Sequence, residues 1–193
     1  MEVTTWTLEM RDPAALSGRT DLPDGVRVDE TSSVTPEFAR FLYALVGGPW
    51  RWTDRLGWTR DQWVADLAAP ATIFLIASAD GVPQGYLHLG ASAVGETSEI
   101  EIKYFGLVTA AIGKGLGTAL LTRGIERAWR AAELDDVPPV SRVWVHTCSL
   151  DGPAALHTYT ARGLELIDET VTDEDYPDEP LGSWASTGGP GAG

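Results

Sequence analysis

The sequence is poor in the features that mark secreted and membrane proteins. It has one cysteine, Cys148, which excludes an internal disulfide and is typical of a reducing compartment. No apolar run approaches the roughly 18 residues that a membrane-spanning helix needs. The N-terminus lacks a basic segment followed by an apolar one, and Glu2 and Glu9 argue against a secretion signal. We therefore expect a cytoplasmic protein with no membrane partner.

Positive charge is also scarce. Fourteen Lys and Arg face 28 Asp and Glu, so the formal net charge is −14, which makes nucleic acid an unfavourable partner. No Lys or Arg follows Arg162, whereas eight acids lie between Glu165 and Glu179. A polyanionic ligand can still be held locally, because salt screens charges beyond about 10 Å, while the overall field favours a cationic or neutral second substrate. No His, Cys or Asp spacing resembles a metal site, so we expect no metal.

One stretch between Ile100 and Ala132 organises the chain as a strand, a glycine-rich turn and a helix. Gly113, Gly115 and Gly117 alternate in this turn, and glycine leaves the backbone N–H groups at a helix entrance open to a large anion. These N–H groups have no intrahelical partners, and the helix dipole adds partial positive charge. The pattern predicts a diphosphate-binding turn; the alternative is a tight turn without a ligand.

Two common nucleotide-binding turns fit this stretch poorly. A P-loop needs a glycine where Thr109 stands and a Ser or Thr where Gly115 stands. A dinucleotide fingerprint needs G-x-G-x-x-G and a downstream acid, whereas the glycines here follow G-x-G-x-G, and the strand at Val140–Thr147 has no clear acidic end. Both classes of site are therefore disfavoured.

The turn resembles that of the GNAT acyltransferases, in which Arg or Gln is followed by G-x-G-x-G/A between a strand and a helix. Here the motif is Gly113 to Gly117. A following strand at Val143–Thr147 is similar to the family pattern. Further on, Ala155, Tyr159 and Gly163 resemble the second family signature, Ala-x-x-x-Tyr-x-x-x-Gly-Phe. Two motifs in the right order and spacing carry this resemblance.

The resemblance covers Pro36 to Glu169 and implies the GNAT fold. This is an α/β fold with a central twisted, mixed and mostly antiparallel sheet of six or seven strands, flanked by about four helices. The apolar pattern agrees, because it predicts an antiparallel meander followed by a β-α-β crossover. We expect the acyltransferase domain at residues 26–170. Residues 1–25 would be an N-terminal arm or an added edge strand, and residues 171–193 an acidic, Gly/Pro-rich, partly disordered tail.

By the same resemblance, the chain binds acetyl-CoA as a co-substrate. The backbone of Leu107 and Val108 would hold the pantetheine arm and donate an N–H to the acetyl carbonyl. The backbone that would bind the diphosphate comprises Gly113, Lys114, Gly115, Leu116, Gly117 and Thr118. Main-chain donors require no particular side chain, so the glycines are the informative signal.

Acyl transfer to an amine needs a proton for the departing thiolate and a base for the amine. Tyr159 matches the family tyrosine that protonates the sulfur; the alternative is a core tyrosine that anchors its helix. In several relatives a carboxylate on this strand acts as the base, so the resemblance makes Glu101, and after it Glu99, the candidates; both share a strand face with Lys103. The alternative for them is a surface ladder of charges. His146 on the adjacent strand could relay a proton or have a structural role only.

Three tryptophans lie between the first two predicted helices and a fourth, Trp63, lies in the second of them. In GNAT enzymes this region often lines the acceptor site, so Trp50 and Trp52 would form a wall of the substrate pocket. Arg51 or Arg55 would then bind a carboxylate of the acceptor. The alternative is an aromatic satellite core in which Asp54 pairs with an arginine.

The sequence departs from the family pattern at three places. Ile112 stands where Arg or Gln precedes the first glycine, so one side-chain contact to the cofactor is missing. Asp151 and Gly152 replace an asparagine that commonly contacts the pantetheine arm, and Val108–Ala111 lacks the usual proline. The backbone contacts survive these changes, so we still expect the coenzyme to bind. Because side-chain contacts are missing, we expect its affinity to be lower than is usual in the family.

These observations predict an N-acetyltransferase that transfers the acetyl group of acetyl-CoA to the primary amine of a small molecule, by direct attack in a ternary complex. The alternative is a non-catalytic acyl-CoA-binding regulatory or interaction module on the same fold. A longer acyl or an aminoacyl donor is a third hypothesis. A homodimer stays open, because edge strands and the tryptophan cluster could form an interface.

Overall fold

A computed structural model describes residues 1–189, which contain seven strands in one open sheet. In chain order the strands are β1 (Glu2–Met10), β2 (Val26–Thr31), β3 (Ile73–Ala79), β4 (Val82–Val94), β5 (Thr97–Leu107), β6 (Val140–Cys148) and β7 (Glu165–Asp173). Their order across the sheet is β2-β3-β4-β5-β6-β1-β7. Every neighbouring pair is antiparallel except β5 with β6, which is parallel. The predicted mixed, mostly antiparallel sheet is confirmed.

Five α-helices within residues 1–189 flank the sheet, one more than predicted. They are α1 (Pro36–Gly47), α2 (Arg60–Leu67), α3 (Leu116–Trp129), α4 (Ala155–Thr160) and α5 (Gly182–Ser186). None of these helices is both long and apolar enough to cross a membrane. Local caps define the first two: Thr35 accepts the Phe38 N–H at 3.3 Å, and Thr59 forms a capping box with Gln62.

Alternating side chains divide the core into two layers, one on each face of the sheet. On β3, Ile73 and Leu75 pack with α3 and α4, whereas Phe74 and Ile76 pack with α1 and α2. This follows from the two-residue period of a strand. The glycine turn before α3 and the tryptophan segment between α1 and α2 therefore approach the centre of the sheet from opposite faces.

β1 is an inner strand, which corrects the prediction of an N-terminal arm or added edge strand. It pairs with β6 along Thr5–Met10 and with β7 along Glu2–Glu9. Leu8 and Met10 are buried in the core. The edge is instead β7, whose residues are all exposed. A local pattern predicts that a segment is extended, but its neighbours are strands far away in the sequence.

Part of the predicted acidic tail, residues 171–193, has regular structure. β7 continues to Asp173, past the predicted domain end at residue 170, and α5 packs against α1. Ser183 Oγ donates a hydrogen bond to the Leu45 carbonyl at 2.7 Å. The last four residues of the predicted tail lie outside the described residues. The segment between β7 and α5 is thus held at both ends.

Candidate active site

β5 and β6 diverge at the middle of the sheet and open a pocket there. They pair only where Ser98–Glu101 meets Val140–Trp144, although β5 continues to Leu107 and β6 to Cys148. The gap leads into a pocket of about 800 Å³. Residues from both diverging strands line it, among them Ile102, Phe105, Leu107, Val145 and Thr147. The gap connects the α3 face of the sheet with the α1 face.

The backbone of β5 presents unpaired polar groups to this gap. The Val108 N–H donates to the Gln84 carbonyl on the β4 side at 2.9 Å. Hydrogen-bonding direction alternates along an antiparallel strand, so Gly106 also faces β4, and the N–H groups of Phe105 and Leu107 face the gap. Of the two residues predicted to hold the pantetheine arm, Leu107 directs its N–H into the gap and lines the pocket, whereas the Val108 N–H is bonded to Gln84.

The glycine turn forms the pocket wall beyond Leu107. Gly113 and Gly115 adopt φ values of +79° and +81°, a left-handed conformation that favours glycine. α3 starts after Gly115 without a side-chain cap, and the first main-chain bond into the helix is Ala119 N–H to Gly115 O at 3.4 Å. The N–H groups before Ala119 thus lack intrahelical partners.

The predicted diphosphate-binding residues contribute to this wall in two ways. Gly113, Gly115, Gly117 and Thr118 line the pocket directly. The side chain of Leu116 is instead buried in the core, and Lys114 is exposed outside the pocket lining. For these two residues only the backbone is in a position to contact a ligand in the turn.

Tyr159 on α4 enters the pocket from the α3 face of the sheet. Its ring packs edge-on against Phe105, with the ring centroids 6.1 Å apart. Burial, with the charge of Asp151 adding to it, raises the pKa of the Tyr159 hydroxyl above its usual range. Among the described residues, this hydroxyl has no hydrogen-bond partner. It is a phenol that stays protonated and can donate to a bound molecule.

Glu101 and His146 line the same pocket from the α1 face. The distance between Glu101 Oε1 and His146 Nε2 is 3.9 Å, so the two groups are close neighbours without a direct hydrogen bond. The side chain of Glu101 is 26% exposed and that of His146 is 54% exposed. Both side chains can therefore reach solvent in the pocket.

Glu99 lies outside the pocket, which corrects its prediction as a second base candidate. It forms an ion pair with Arg142 at 2.8 Å, and Arg142 also pairs with Glu9 at 2.5 Å. Glu99 shares a strand face with Glu101, but β5 is paired with β6 on both sides of Glu99, whereas Glu101 is the last paired residue before the strands separate. A base there has no open gap beside it.

The tryptophan segment divides between core and pocket. Trp50 and Trp52 line the pocket, and Trp52 Nε1 donates to Asp151 Oδ1 at 3.1 Å. Trp63 is buried and packs edge-on against Trp58 at 5.4 Å. Trp58 and Trp63 thus form an aromatic satellite core, whereas Trp50 and Trp52 line the pocket and their contact with a substrate stays a prediction.

Arg51 and Arg55 line the pocket but are occupied by protein groups. Arg51 donates to the main-chain carbonyls of Pro177 and Asp178. Arg55 pairs with Asp66 at 3.0 Å, and its guanidinium lies between the rings of Trp58 and Tyr104, at 4.3 and 4.6 Å. Neither arginine is free to bind a carboxylate of the acceptor, so that part of the prediction is corrected.

A β-bulge brings into the pocket a residue that alternation had placed on the other face. Leu89 pairs with Ile102, but the preceding residue, His88, pairs with Tyr104, so Lys103 is an extra residue. As a result Tyr104 faces α1 and packs 5.1 Å from Trp52. Nothing in the local sequence signals this bulge.

Two further pocket residues, Tyr176 and Asp151, have no local sequence signal because their neighbours are distant in the chain. Tyr176 lines the pocket from the segment after β7, which was predicted to belong to a tail. Asp151 accepts from Trp52 Nε1, from Thr147 Oγ1 at 2.6 Å and from the Cys148 N–H at 3.1 Å. Asp151 therefore ties the tryptophan segment to the end of β6.

Comparison with known proteins adds a family and a set of similar folds. The family model described as Acetyltransferase (GNAT) family matches residues 37–164. A search of curated protein sequences finds no significant match.

Solved structures share the fold at low sequence identity. A GCN5-related N-acetyltransferase from Sphaerobacter thermophilus has a TM-score of 0.61 and 15% identity, over 88% of this chain and 50% of the other. A tandem GNAT protein from the clavulanic acid biosynthesis pathway has a TM-score of 0.58 and 16% identity, over 88% and 51%. The chain thus spans about half the length of these two proteins. An aminoglycoside acetyltransferase from an uncultured soil metagenomic sample, in complex with sisomicin, has a TM-score of 0.54 and 14% identity, over 72% and 88%.

Proposed function

The chain belongs to the GNAT acetyltransferase family, and from that premise we propose that it is an acetyl-CoA-dependent N-acetyltransferase. In this proposal the acetyl group passes to the primary amine of a small molecule by direct attack in a ternary complex. The observation that carries the proposal is the gap between β5 and β6. Leu107, whose N–H points away from β4, lines the pocket at this gap together with the glycine turn and Tyr159.

The residues on the α3 face of the pocket are suited to acetyl-CoA. The unpaired edge of β5 offers an extended pantetheine arm the hydrogen bonds of a neighbouring strand. The Leu107 N–H would donate to the thioester carbonyl and stabilise the charge that develops there. The N–H groups from Gly113 to Thr118 would bind the diphosphate. Tyr159 would donate a proton to the departing thiolate.

The residues on the α1 face are suited to activating an amine. Glu101 would accept the proton that the amine loses, directly or through water, with His146 as a second relay. A primary amine is mostly protonated near neutral pH, so a base is needed before it can attack. The similar fold of the aminoglycoside acetyltransferase supports a small-molecule amine as the acceptor.

Release of free CoA from acetyl-CoA tests the proposal directly. We expect the purified protein to release thiol only when an amine is added, and mass spectrometry to find one added acetyl group on that amine. Tight CoA binding without turnover on any amine of a broad panel would favour the non-catalytic module. Competition by longer acyl-CoA thioesters would show which donor the pocket prefers.

Replacing Glu101 by Gln is expected to lower kcat/KM by roughly 100-fold near neutral pH, because a positioned general base contributes about 10²- to 10⁴-fold. The loss should shrink at high pH, where more of the amine is already neutral. Steady-state kinetics between pH 6 and 10 would measure it. Glu96→Gln, in the exposed turn between β4 and β5, is the matched control. A loss that is the same at every pH would contradict a role as base.

A further inference from the structure

The charges that an acceptor can reach on the α1 face of the pocket are mainly negative. The Asp54 side chain is 60% exposed although its Oδ2 lies 3.8 Å from Arg55 Nε, and the side chain of Glu101 is 26% exposed. The basic side chains nearby are withdrawn into ion pairs: Lys103 Nζ lies 2.8 Å from Asp66, which also pairs with Arg55. Lys103 and Arg55 are only 14% and 16% exposed. An incoming molecule therefore meets carboxylates before it meets cations.

Aromatic rings also line the pocket. Trp50, Trp52, Tyr104 and Tyr176 all line it, and the Trp52 and Tyr104 rings are 5.1 Å apart. Aromatic ring faces attract cations and pack against flat or apolar groups. Arg51, the other basic residue here, is bound to main-chain carbonyls of the segment that carries Tyr176.

Building on the proposed function, we propose that the acceptor is a cationic amine with an aromatic or otherwise apolar body and without a carboxylate. Its ammonium group would lie near Asp54 and Glu101, and its body would pack on Trp52 and Tyr104. A carboxylate beside the amine would be repelled by the two acids and would find no free arginine. The net charge of −14 favours approach of the same class of molecule.

Matched pairs of amines and amino acids test this proposal, for example phenethylamine with phenylalanine and tyramine with tyrosine. We expect kcat/KM to be at least about 10- to 100-fold higher for the amine of each pair, the range that one charged contact contributes. Calorimetric binding in the presence of CoA should show the same order. Equal or tighter binding of the amino acids would overturn the proposal. A preserved binding order without turnover would refute the catalytic function but keep this assignment.

Asp54→Asn should lower the ratio of kcat/KM for the amine to kcat/KM for the amino acid in each pair. Asp61→Asn, on the exposed start of α2, is the control. Asp54 also accepts a hydrogen bond from the Tyr43 hydroxyl, so thermal unfolding of the variant is measured alongside. If this variant is unstable, the salt dependence of amine binding to the wild type replaces it. An affinity for the amine that does not change with ionic strength would contradict the proposed role of the Asp54 and Glu101 carboxylates.

A separate observation concerns Arg19, in the loop between β1 and β2. A Cβ built on Gly115 would lie 2.5 Å from Arg19 Nη2, so the guanidinium touches the glycine turn at the entrance of α3. Among the described residues, Arg19 has no hydrogen-bond or ion-pair partner. Ile112, at the position where the family motif has Arg or Gln, is 47% exposed and offers no charge.

The loop that carries Arg19 is held in place on both sides of it. The Ser17 N–H donates to the Arg162 carbonyl at 3.1 Å, and Arg123 Nε donates to the Thr20 carbonyl at 2.8 Å. Gly18 packs so closely on α3 that a Cβ there would lie 2.3 Å from Thr122 Oγ1. The position of Arg19 is thus set by its flanking main chain and not by its own side chain.

We infer that Arg19 binds the diphosphate of the coenzyme and takes over the contact that Ile112 cannot make. A guanidinium presents a planar set of donors that suits phosphate oxygens. This inference also rests on the proposed function, because it assumes that CoA occupies the glycine turn.

Arg19→Gln is expected to weaken CoA binding by roughly 10- to 100-fold, as loss of a charge-assisted contact does. Binding of acetyl-pantetheine, which lacks the diphosphate, should not change. Arg27→Gln on β2, whose partner is Asp29 at 2.8 Å, is the matched control. In the Arg19→Gln background, Ile112→Arg should restore part of the affinity.

Calorimetry with CoA and acetyl-pantetheine measures all these variants. An equal loss for both ligands would show that Arg19 is merely structural, and unchanged CoA affinity would refute its role while leaving the proposed function intact. A wild-type protein that does not bind CoA would refute both.

Discussion

Replacing Tyr159 by Phe is expected to reduce kcat by roughly 100- to 10,000-fold, the range for a positioned general acid. The ring packing on Phe105 is kept, so acetyl-CoA binding and thermal stability should change little. The reason is chemical: burial keeps the phenol protonated, and its hydroxyl is the donor that the pocket offers from the α3 face. Stopped-flow and steady-state detection of free thiol would measure the effect.

Two controls make the Tyr159 experiment specific. Tyr86→Phe removes a hydroxyl from a buried tyrosine on the other face of the sheet and should leave turnover unchanged. An acyl donor whose leaving group needs no protonation, such as the acetyl thioester of a very acidic thiol, should be much less sensitive to Tyr159→Phe. If kcat stays within about twofold of wild type, Tyr159 is a core residue only, and the catalytic assignment fails.

The second large effect concerns stability in acid and a histidine on β4. His88 is buried, stacks on Phe74 with the ring centroids 4.1 Å apart, and has no hydrogen-bond partner for Nε2 among the described residues. Burial, with the charge of Lys103 adding to it, lowers the pKa of His88 from 6.5 to about 3. Asp66 acts in the opposite direction, and Arg55 in the same direction as Lys103. The folded protein therefore holds this imidazole neutral.

The sign of the pH effect follows from this lowered pKa. The unfolded chain takes up a proton at His88 near pH 6.5, whereas the folded chain does not until pH falls to about 3. The contribution of neutral His88 to the free energy of unfolding is complete above pH 6.5. It is lost progressively as pH falls from 6.5 to about 3. At pH 5 the loss amounts to about 2 kcal/mol of the free energy of unfolding.

His88→Phe should remove that part of the pH dependence, because it keeps an aromatic ring against Phe74 and cannot be protonated. We expect urea unfolding of the wild type to lose about 2 kcal/mol more than the variant between pH 7.5 and pH 5. His157→Gln, at an exposed position of α4, serves as the control and should behave like the wild type. Parallel losses in the wild type and His88→Phe would mean that other groups set the acid sensitivity.

Stability at low pH also depends on an ion-pair network around the β-bulge at Lys103. Asp66 is half-buried and loses solvation, but its hydrogen bond to Lys103 and the charges of Arg55 and Lys103 outweigh this and lower the pKa of its carboxyl. Its contribution is present above the unfolded pKa and is lost only as pH falls below about 4. It therefore acts at lower pH than His88, and the two effects can be separated.

The glycine turn and Tyr159 could be located without a structure because their signals are local. Alternate glycines before a helix determine a backbone conformation within a few residues, and the left-handed values at Gly113 and Gly115 agree with that expectation. The spacing from Ala155 through Tyr159 to Gly163 lies within one short helix and its end.

The predictions that the structure does not support concern residues whose hydrogen bonds are made with segments distant in the sequence. Val108 and Leu107 look equivalent in sequence, but pairing with Gln84 uses the N–H of one and leaves that of the other free. Glu99 and Glu101 have the same pattern, yet the sheet opens only after Glu101. Nothing near Arg51 in the sequence indicates a partner for its side chain, but its guanidinium donates to the main-chain carbonyl of the distant Pro177.

By itself, the sequence determined the main elements, the family motif and the turn before α3, because each depends on residues close together in the chain. Only the tertiary structure decided that β1 is internal, that a bulge turns Tyr104 into the pocket, and that Arg19 lies on Gly115. These features depend on contacts between segments that are far apart in the chain. The periodicity of one segment carries no information about which distant segment will pack against it.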